Sequence, residues 1–213
     1  MINVIDLIET EEPIKTKAVW TQVCGYFSKR PGFIAGQLLK AFETIHPVKP
    51  YRYTSFCQWE SNEDWQRARL AAKADHFISK VLKDFPATFT AVHADLDQGQ
   101  GHDVRRATPE MMTLVDLIYV DPERTDSYAR MWGDARSFMK DKSGFVDANL
   151  YRVFDEQNPV KFVNIAVWQS TQKFYEALNT PEFMEIISDF KENFSLYLSR
   201  VSATATSPEF ATS

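Results

Sequence analysis

The sequence predicts an α+β protein of two tandem ferredoxin-like repeats, each of order β-α-β-β-α-β, which form an intramolecular pseudo-dimeric α+β barrel. The first observation is an internal duplication. The pattern Trp-x-Ser-x-x-x-aromatic occurs in "QWESNEDW" (58–65) and in "VWQSTQKF" (167–174), and Gly-Phe occurs at 32–33 and 144–145. The second observation is that hydrophobic patterns follow one another in the same order in both halves. The chain therefore contains the same domain twice.

Each copy begins with a short apolar strand and continues with a helix that has one apolar stripe. The stripes, spaced i, i+3, i+4 and i+7, are Trp20, Val23, Cys24 and Phe27 in the first copy and Tyr128, Met131, Trp132 and Ala135 in the second. A glycine then ends the helix, and an alternating strand follows. A third strand ends at Trp59 or Trp168, and Ser61 and Ser170 are placed to cap the next helix. A final strand completes each repeat.

The duplication sets the predicted domain boundaries. We expect a first repeat over residues 1–98, a linker over 99–110, a second repeat over 111–201 and a disordered tail over 202–213. The linker has glycines, many polar residues and no hydrophobic period, and the tail has no apolar period either. Helices cover one face of each antiparallel sheet. Two repeats in one chain can pack the remaining faces together, as a homodimer of single repeats otherwise would.

The composition argues against several classes of partner. The formal net charge is -5 and there is no Lys/Arg-rich run, whereas binding nucleic-acid phosphates requires clustered cations. No apolar run approaches the about 20 residues of a spanning helix, and the first residues lack the features of a secretory signal. We therefore expect no nucleic-acid or membrane partner and a cytoplasmic location. There, Cys24 and Cys57 are expected to remain thiols, to act as small buried hydrophobic residues and to form no metal cluster.

The run "VWQSTQKFYEALNTPEF" (167–183), which follows a Gly-Phe and a strand, resembles the antibiotic biosynthesis monooxygenase family of the dimeric α+β barrel superfamily. "QWESNEDWQRARLAAKADHF" (58–77) is similar but more divergent. The resemblance covers both halves of the chain. It implies a small, mostly apolar pocket between sheet and helices, where O2 oxidises an aromatic or enolisable polyketide-like substrate. It also implies no metal, and either no cofactor or reduced flavin.

Other functions remain open on the same fold. A polyketide cyclase or isomerase would use the same pocket without consuming oxygen, and a non-catalytic protein would only bind a small ligand. Association into a homodimer is open as well. The haem-degrading branch of the superfamily, which uses an Asn, a Trp and a His, is not expected. Asn3 resembles its Asn, but Thr113 takes that place in the second repeat, and Ala68 and Ala177 stand near the Trp position.

A cofactor-free oxygenation needs a base near neutral pKa in a dry pocket. His76 is the first candidate, because its helix would roof the first pocket and imidazole titrates in that range; a solvated helical histidine is the alternative. Asp6 and Asp116 are further candidates. A carboxylate in an apolar strand is costly to bury, and here it recurs in both copies. Each aspartate either has a structural partner or has a raised pKa and serves as the base.

Polar side chains on otherwise apolar strands mark the pocket. Catalytic hydrogen-bond donors are expected from Asn164 and Tyr53. Further substrate contacts are expected from Ser55, Gln37, Asn149 and Tyr151. Four tryptophans complete the set, either as core packing or as a stacking wall for a planar substrate: Trp20, Trp59, Trp132 and Trp168.

Overall fold

The computed structural model describes residues 1–211. Its strands are β1 (Ile2–Glu9), β2 (Phe33–Ile45), β3 (Tyr53–Trp59), β4 (Thr88–Gln98), β5 (Met112–Ile118), β6 (Phe145–Val153), β7 (Phe162–Trp168) and β8 (Phe194–Thr206). Its helices are α1 (Pro13–Phe27), α2 (Asn62–Ala74), α3 (His76–Lys83), α4 (Thr125–Met139), α5 (Thr171–Leu178), α6 (Pro181–Ile186) and α7 (Pro208–Ala211), with 3-10 turns at Pro122–Arg124 and Ser188–Phe190. None of these helices is long and apolar enough to span a membrane.

The order of the elements confirms the predicted fold class. Strand, helix, strand, strand, helical segment and strand follow one another twice, and the second helical segment of each repeat is divided in two. The strands are hydrogen-bonded in the order β1-β3-β2-β8-β5-β7-β6-β4 and close into a barrel. The chain is thus an α+β protein with two ferredoxin-like repeats and an eight-stranded barrel.

The chain divides into two compact units. The first unit contains residues 1–40 and 50–93 and the chain from 201 onward, and the second contains 41–49 and 94–200. These boundaries differ from those predicted from the sequence. β2 and β8 are each 13 residues long, whereas β3 has seven, so the far ends of the long strands are assigned to a different unit from their beginnings.

In the first unit, β3 lies between β1 and β2 and is antiparallel to both. The predicted stripe of α1 is buried on this sheet through Trp20, Cys24 and Phe27. Trp59, at the end of β3, is fully buried and contacts the Phe27 ring edge-on, with 5.7 Å between ring centroids. The aromatic side chains therefore join helix and sheet into one core.

In the second unit, β7 lies between β5 and β6, and β5 also pairs with β8. The α4 stripe is buried on the sheet through Tyr128, Trp132 and Ala135, as its spacing predicts. The Tyr128 ring stacks on Phe162 of β7 at 5.2 Å between centroids. This unit repeats the helix-on-sheet arrangement of the first.

A tight turn with a glycine precedes the second strand of each repeat. Gly32 has φ +79° and Gly144 has φ +87°, in the region that side chains rarely adopt. A Cβ atom there would also collide with Asp64 or Lys173, respectively. Both of these residues lie in the first turn of the next helix. The predicted glycines are therefore required by the backbone conformation and by this close approach.

The predicted serine caps are confirmed. The Ser61 Oγ accepts a hydrogen bond from the Asp64 backbone N–H at 3.1 Å, and the Ser170 Oγ accepts one from Lys173 at 3.2 Å. Each serine thus satisfies a backbone donor that the first turn of its helix leaves unpaired.

The end of the chain differs from the expectation of a disordered tail over 202–213. β8 continues to Thr206, and the backbone N–H of Ser207 donates to the Ile34 carbonyl at 3.0 Å. Thr204 and Thr206 favour a strand, although this stretch has no apolar period. Residues 212–213 of that prediction lie outside the described residues. The stretch predicted as a linker, 99–110, lies between the end of β4 and the start of β5.

Candidate active site

The second unit contains a cavity of about 100 Å³ between its helices and its sheet. Strands β5, β6, β7 and β8 form its floor, and α4, α5 and α6 contribute walls. The described residues that line it are mainly apolar and include Leu114, Met131, Trp132, Met139, Ala166, Trp168, Phe174, Leu178 and Phe183. Asp116, Asn164 and Arg136 are the non-aromatic polar or charged side chains in this lining. The chemistry of the cavity therefore depends on these three groups.

Asp116 is a carboxyl group buried in the middle of β5. Loss of hydration raises its pKa to about 8, although hydrogen bonds with the Ser195 backbone and the Asn164 side chain act in the opposite direction. Within residues 1–211, its Oδ1 atom has no hydrogen-bond partner. A buried carboxyl oxygen without a partner is costly, and a ligand in the cavity can supply the missing bond.

Asn164 lies directly opposite Asp116, because the two residues are register partners on β7 and β5. The Asn164 side chain is 8% exposed, and its Oδ1 atom is also without a hydrogen-bond partner in the described part of the chain. The sequence predicted both residues as candidates on separate strands. The register brings them together as a pair that offers a titratable oxygen and an acceptor to the same space.

Aromatic side chains surround this pair. Trp168 contacts Phe145 edge-on at 5.4 Å between centroids and Phe174 at 5.8 Å. Trp132 approaches from α4 and is 6% exposed. Trp132 and Trp168 thus belong to the core and also line the cavity. The sequence left open whether they pack in the core or form a stacking wall, and their position allows both.

Arg136 brings a positive charge to the cavity, and the sequence analysis missed it. Its Nε donates to the Ala148 carbonyl at 3.0 Å. The structure as described shows no other hydrogen bond or ion pair for this guanidinium, which leaves its terminal nitrogens available to an anionic group. The spacing could have indicated it, since Arg136 follows Trp132 by four residues and shares its helix face.

The first unit has a corresponding cavity of about 230 Å³. Asp6 takes the place of Asp116 and faces Ser55 across β1 and β3. Burial raises the pKa of Asp6 to about 6. The Trp20 Nε1 donates to the Ser55 Oγ at 2.9 Å, so this hydroxyl is engaged within the protein. Trp59 lines the cavity as well.

The two cavities differ where the repeats have diverged. Ser55 replaces the amide of Asn164. Cys24 stands at the position of Arg136, four residues after the buried tryptophan (Trp20 or Trp132) that both copies share. The first cavity has Arg69 and Lys73 of α2 in its lining, and both are exposed. An aspartate in the lining is therefore common to both cavities, whereas the polar and charged residues around it differ.

The structure places three candidate residues away from both cavities. His76 is exposed at the first position of α3, where Asp75 caps the helix and turns the chain away from α2. The Tyr53 hydroxyl donates to the Pro13 carbonyl at 3.0 Å and so holds the start of α1. Gln37 is buried on the face of β2 opposite to that of Gly36, which packs against α1.

Asn149 and Tyr151 also lie on the strand face that points away from the cavity, since Ala148 and Leu150 take the helix-facing positions. The Asn149 Oδ1 accepts hydrogen bonds from the backbone N–H groups of Gln100 and Gly101, and the Tyr151 Oη accepts one from His102 at 2.7 Å. These two residues anchor the segment that follows β4. The expectation that they contact substrate assigned them to the wrong face.

The described residues offer no group of three or more His, Cys, Asp or Glu side chains that could hold a metal ion. The second cavity, at about 100 Å³, is also smaller than the ~300–1,000 Å³ typical of pockets for drug-sized ligands. A large planar ligand would therefore require the flexible side chains of Met131, Met139 and Arg136 to move.

Comparison with known protein families gives a match within the second repeat. Residues 111–188 match the sequence profile described as "Antibiotic biosynthesis monooxygenase". This segment contains Asp116, Arg136 and Asn164. No curated protein sequence matches the chain.

Solved structures match nearly the whole chain. An anthrone oxidase-like protein is 14% identical, with a TM-score of 0.73, and the match covers 98% of this chain and 94% of the other. A protein proposed to be a monooxygenase from Lactobacillus acidophilus is 12% identical, with a TM-score of 0.66 and coverage of 96% and 95%. Another from Fusobacterium nucleatum is 11% identical, with a TM-score of 0.64 and coverage of 96% and 93%. At such identities the similarity establishes the fold alone.

Proposed function

We propose that this chain, whose residues 111–188 match the antibiotic biosynthesis monooxygenase family, oxygenates a small phenolic or enolisable aromatic compound with O2 in the second cavity. One observation carries the proposal. Asp116 is a buried carboxyl group with a pKa of about 8 and an unpartnered oxygen, and it faces an aromatic-lined cavity. A group with these properties suits a general base that acts near neutral pH.

In this proposal, the ionised Asp116 removes a proton from the substrate. The Asn164 Oδ1 accepts a hydrogen bond from a substrate hydroxyl and fixes its orientation. The Arg136 guanidinium stabilises the negative charge that develops on the substrate oxygen, an interaction that the apolar walls strengthen. The protein thus prepares an electron-rich anion without supplying electrons itself.

The substrate anion then reduces O2. When the reacting carbon is a methylene group next to the aromatic ring, one atom of O2 becomes the new carbonyl oxygen and the other leaves as water. The two hydrogens of the methylene group leave with that water, so the reaction balances without a further reductant. Neither a metal nor a flavin is needed for these steps.

The test is oxygen uptake by metal-free protein given a naphthol or an anthrone, with product formation followed by absorbance. We expect uptake above the buffer rate that rises with pH around a midpoint near 8. Asp116→Asn should lower kcat about 100-fold or more, because it removes the base and keeps the shape of the side chain. Asp6→Asn is the matched control in the first cavity and should retain activity.

Several results would contradict the proposal. Equal activity of Asp116→Asn and the wild type would exclude Asp116 as the base, and activity lost only in Asp6→Asn would assign the reaction to the first cavity. Uptake that requires added reduced flavin would replace the cofactor-free mechanism by a flavin-dependent one. Conversion of an enolisable substrate without oxygen uptake would identify a cyclase or isomerase.

A further inference from the structure

The cavity of the first unit contains both cysteines of the chain. Cys24 lies on α1 and Cys57 on β3, and both residues line this cavity. They come from elements that approach each other closely because Gly36, the register partner of Cys57 on β2, has no side chain. The second cavity has no such pair, since Arg136 and Ala166 stand at the corresponding positions.

The two sulfur atoms are close neighbours. A Cβ atom on Gly36 would lie 2.7 Å from the Cys24 Sγ and 3.1 Å from the Cys57 Sγ, so the two sulfurs are at most 5.8 Å apart. The neighbouring Cys57 thiol and burial together raise the pKa of Cys24. The two thiols therefore lie next to each other above Gly36, where a larger residue would place its side chain.

The surroundings give the two thiols different roles. Cys24 is 2% exposed, whereas Cys57 is half-buried and reaches the cavity, so a small oxidant meets Cys57 first. The Ser55 Oγ lies 3.7 Å from the Cys57 Sγ and can donate a hydrogen bond to it. Arg69 and Lys73 bring positive charge to the lining of this cavity, and Asp6 brings a carboxyl group.

We propose that Cys24 and Cys57 form an oxidation site for a hydroperoxide, which converts the two thiols into an intramolecular disulfide. The Cys57 thiolate attacks the peroxide, the O–O bond breaks, and sulfenic acid and an alcohol (water, from hydrogen peroxide) are formed. The Cys24 sulfur then attacks the Cys57 sulfur, the S–O bond breaks and water leaves. Two thiols are oxidised and one peroxide is reduced, and the new bond joins α1 to β3.

The experiment treats the native, reduced full-length chain with hydrogen peroxide and counts thiols after denaturation. Because the chain has only two cysteines, the count is unambiguous. We expect both thiols to disappear together, the intact mass to fall by two hydrogen atoms, and dithiothreitol to restore both. Peptide mapping without reductant should recover Cys24 joined to Cys57. Persistence of both thiols, or disulfide-linked dimers in place of the intramolecular bond, would overturn the proposal.

Single variants test the order of the steps. Cys24→Ser should stop at sulfenic acid on Cys57, which dimedone traps, whereas Cys57→Ser should leave Cys24 reduced at the same peroxide dose. Gly36→Ala should slow disulfide formation and let sulfenic acid accumulate, because the added methyl group pushes the two sulfurs apart. Circular dichroism confirms that each variant is folded. Oxidation of Cys24 in Cys57→Ser at the wild-type rate would contradict the proposed roles.

Discussion

Among single residues, Asp6 and Asp116 occupy the same position in the two repeats but have different surroundings, since Asp116 is buried and Asp6 is half-buried. Burial raises the pKa of both, to about 6 for Asp6 and about 8 for Asp116. The residue opposite each one differs. The Ser55 hydroxyl already accepts a hydrogen bond from Trp20, whereas the Asn164 side chain is bonded to Asp116 and keeps a free acceptor oxygen. In the second repeat, the Asn164 oxygen therefore remains able to accept a hydrogen bond from a substrate.

Asn164→Ala tests this coupling. The Asn164 hydrogen bond lowers the pKa of Asp116, so its removal should raise that pKa further. We expect the midpoint of the pH-activity profile to move to higher pH and the rate at pH 7 to fall by about tenfold for each unit of the move. The measurement is kcat/KM for oxygen uptake between pH 6 and 10.

Ser55→Ala is the matched control, since Ser55 occupies the Asn164 position in the first cavity. Its profile should coincide with that of the wild type. A midpoint that stays near 8 in Asn164→Ala would show that Asn164 does not act on the titrating group.

At the level of elements, the turns before β2 and β6 require glycine for two reasons, the backbone conformation and the close approach of a side chain. Gly144 has φ +87°, and its Cα faces the Lys173 side chain at the start of α5. The turn therefore fixes how closely β6 approaches the helix that follows β7. Ser170, which caps α5, belongs to the same corner. The repeated Gly-Phe and Trp-x-Ser patterns of the sequence are thus two parts of one structural junction.

Gly144→Ala should lower the free energy of unfolding by at least ~1–2 kcal/mol, because the left-handed conformation is costly for a side chain and the new methyl group meets Lys173. The matched control is Gly25→Ala in α1, where an added Cβ meets nothing within 4 Å. That substitution should stabilise the protein by roughly 0.5–1 kcal/mol, since alanine favours the helix. Urea unfolding of both variants gives the comparison, and equal effects would contradict the assignment.

For the whole molecule, the buried carboxyl groups predict how stability depends on pH. A carboxyl group whose pKa is raised on folding binds its proton more tightly in the folded than in the unfolded chain. Its contribution is therefore fully present below the unfolded pKa of 3.8 and is lost as the pH rises to the folded value, about 8 for Asp116. Buried His102, with its pKa lowered to about 4, has the opposite effect between about pH 4 and 6.5. The Asp116 effect is therefore isolated above pH 6.5.

We expect the free energy of unfolding of the wild type to fall by roughly 2 kcal/mol between pH 6.5 and 8, because each pH unit changes it by about 1.4 kcal/mol. Asp116→Asn should lack this loss, whereas Asp6→Asn should keep it, since Asp6 has largely titrated by pH 6.5. Urea unfolding at several pH values provides the measurement. Parallel pH dependence of Asp116→Asn and the wild type would refute the raised pKa.

Some residues of the candidate site could be predicted from the sequence and others could not. Asp116, Asn164, Trp132 and Trp168, which line the cavity, were predicted from the sequence because each interrupts or completes a local pattern. Arg136 was missed because a charged residue at the edge of a helix stripe is commonly solvated. Other candidates lie outside the cavity because their side chains point away from it. Asn149 lies on a strand that was predicted correctly, but its side chain points to the segment after β4.

Local patterns were sufficient to predict the duplication, the order of strands and helices, the glycine turns and serine caps, and the two aspartates within apolar strands. These features follow from local periodicity and backbone chemistry, which each short segment carries on its own. Three further features became visible in the folded chain: which strand face meets the helices, the register pairing of Asp116 with Asn164, and the contact of Cys24 and Cys57 over Gly36. Such contacts join residues far apart in the chain. They depend on how the elements pack, and no local pattern specifies that packing.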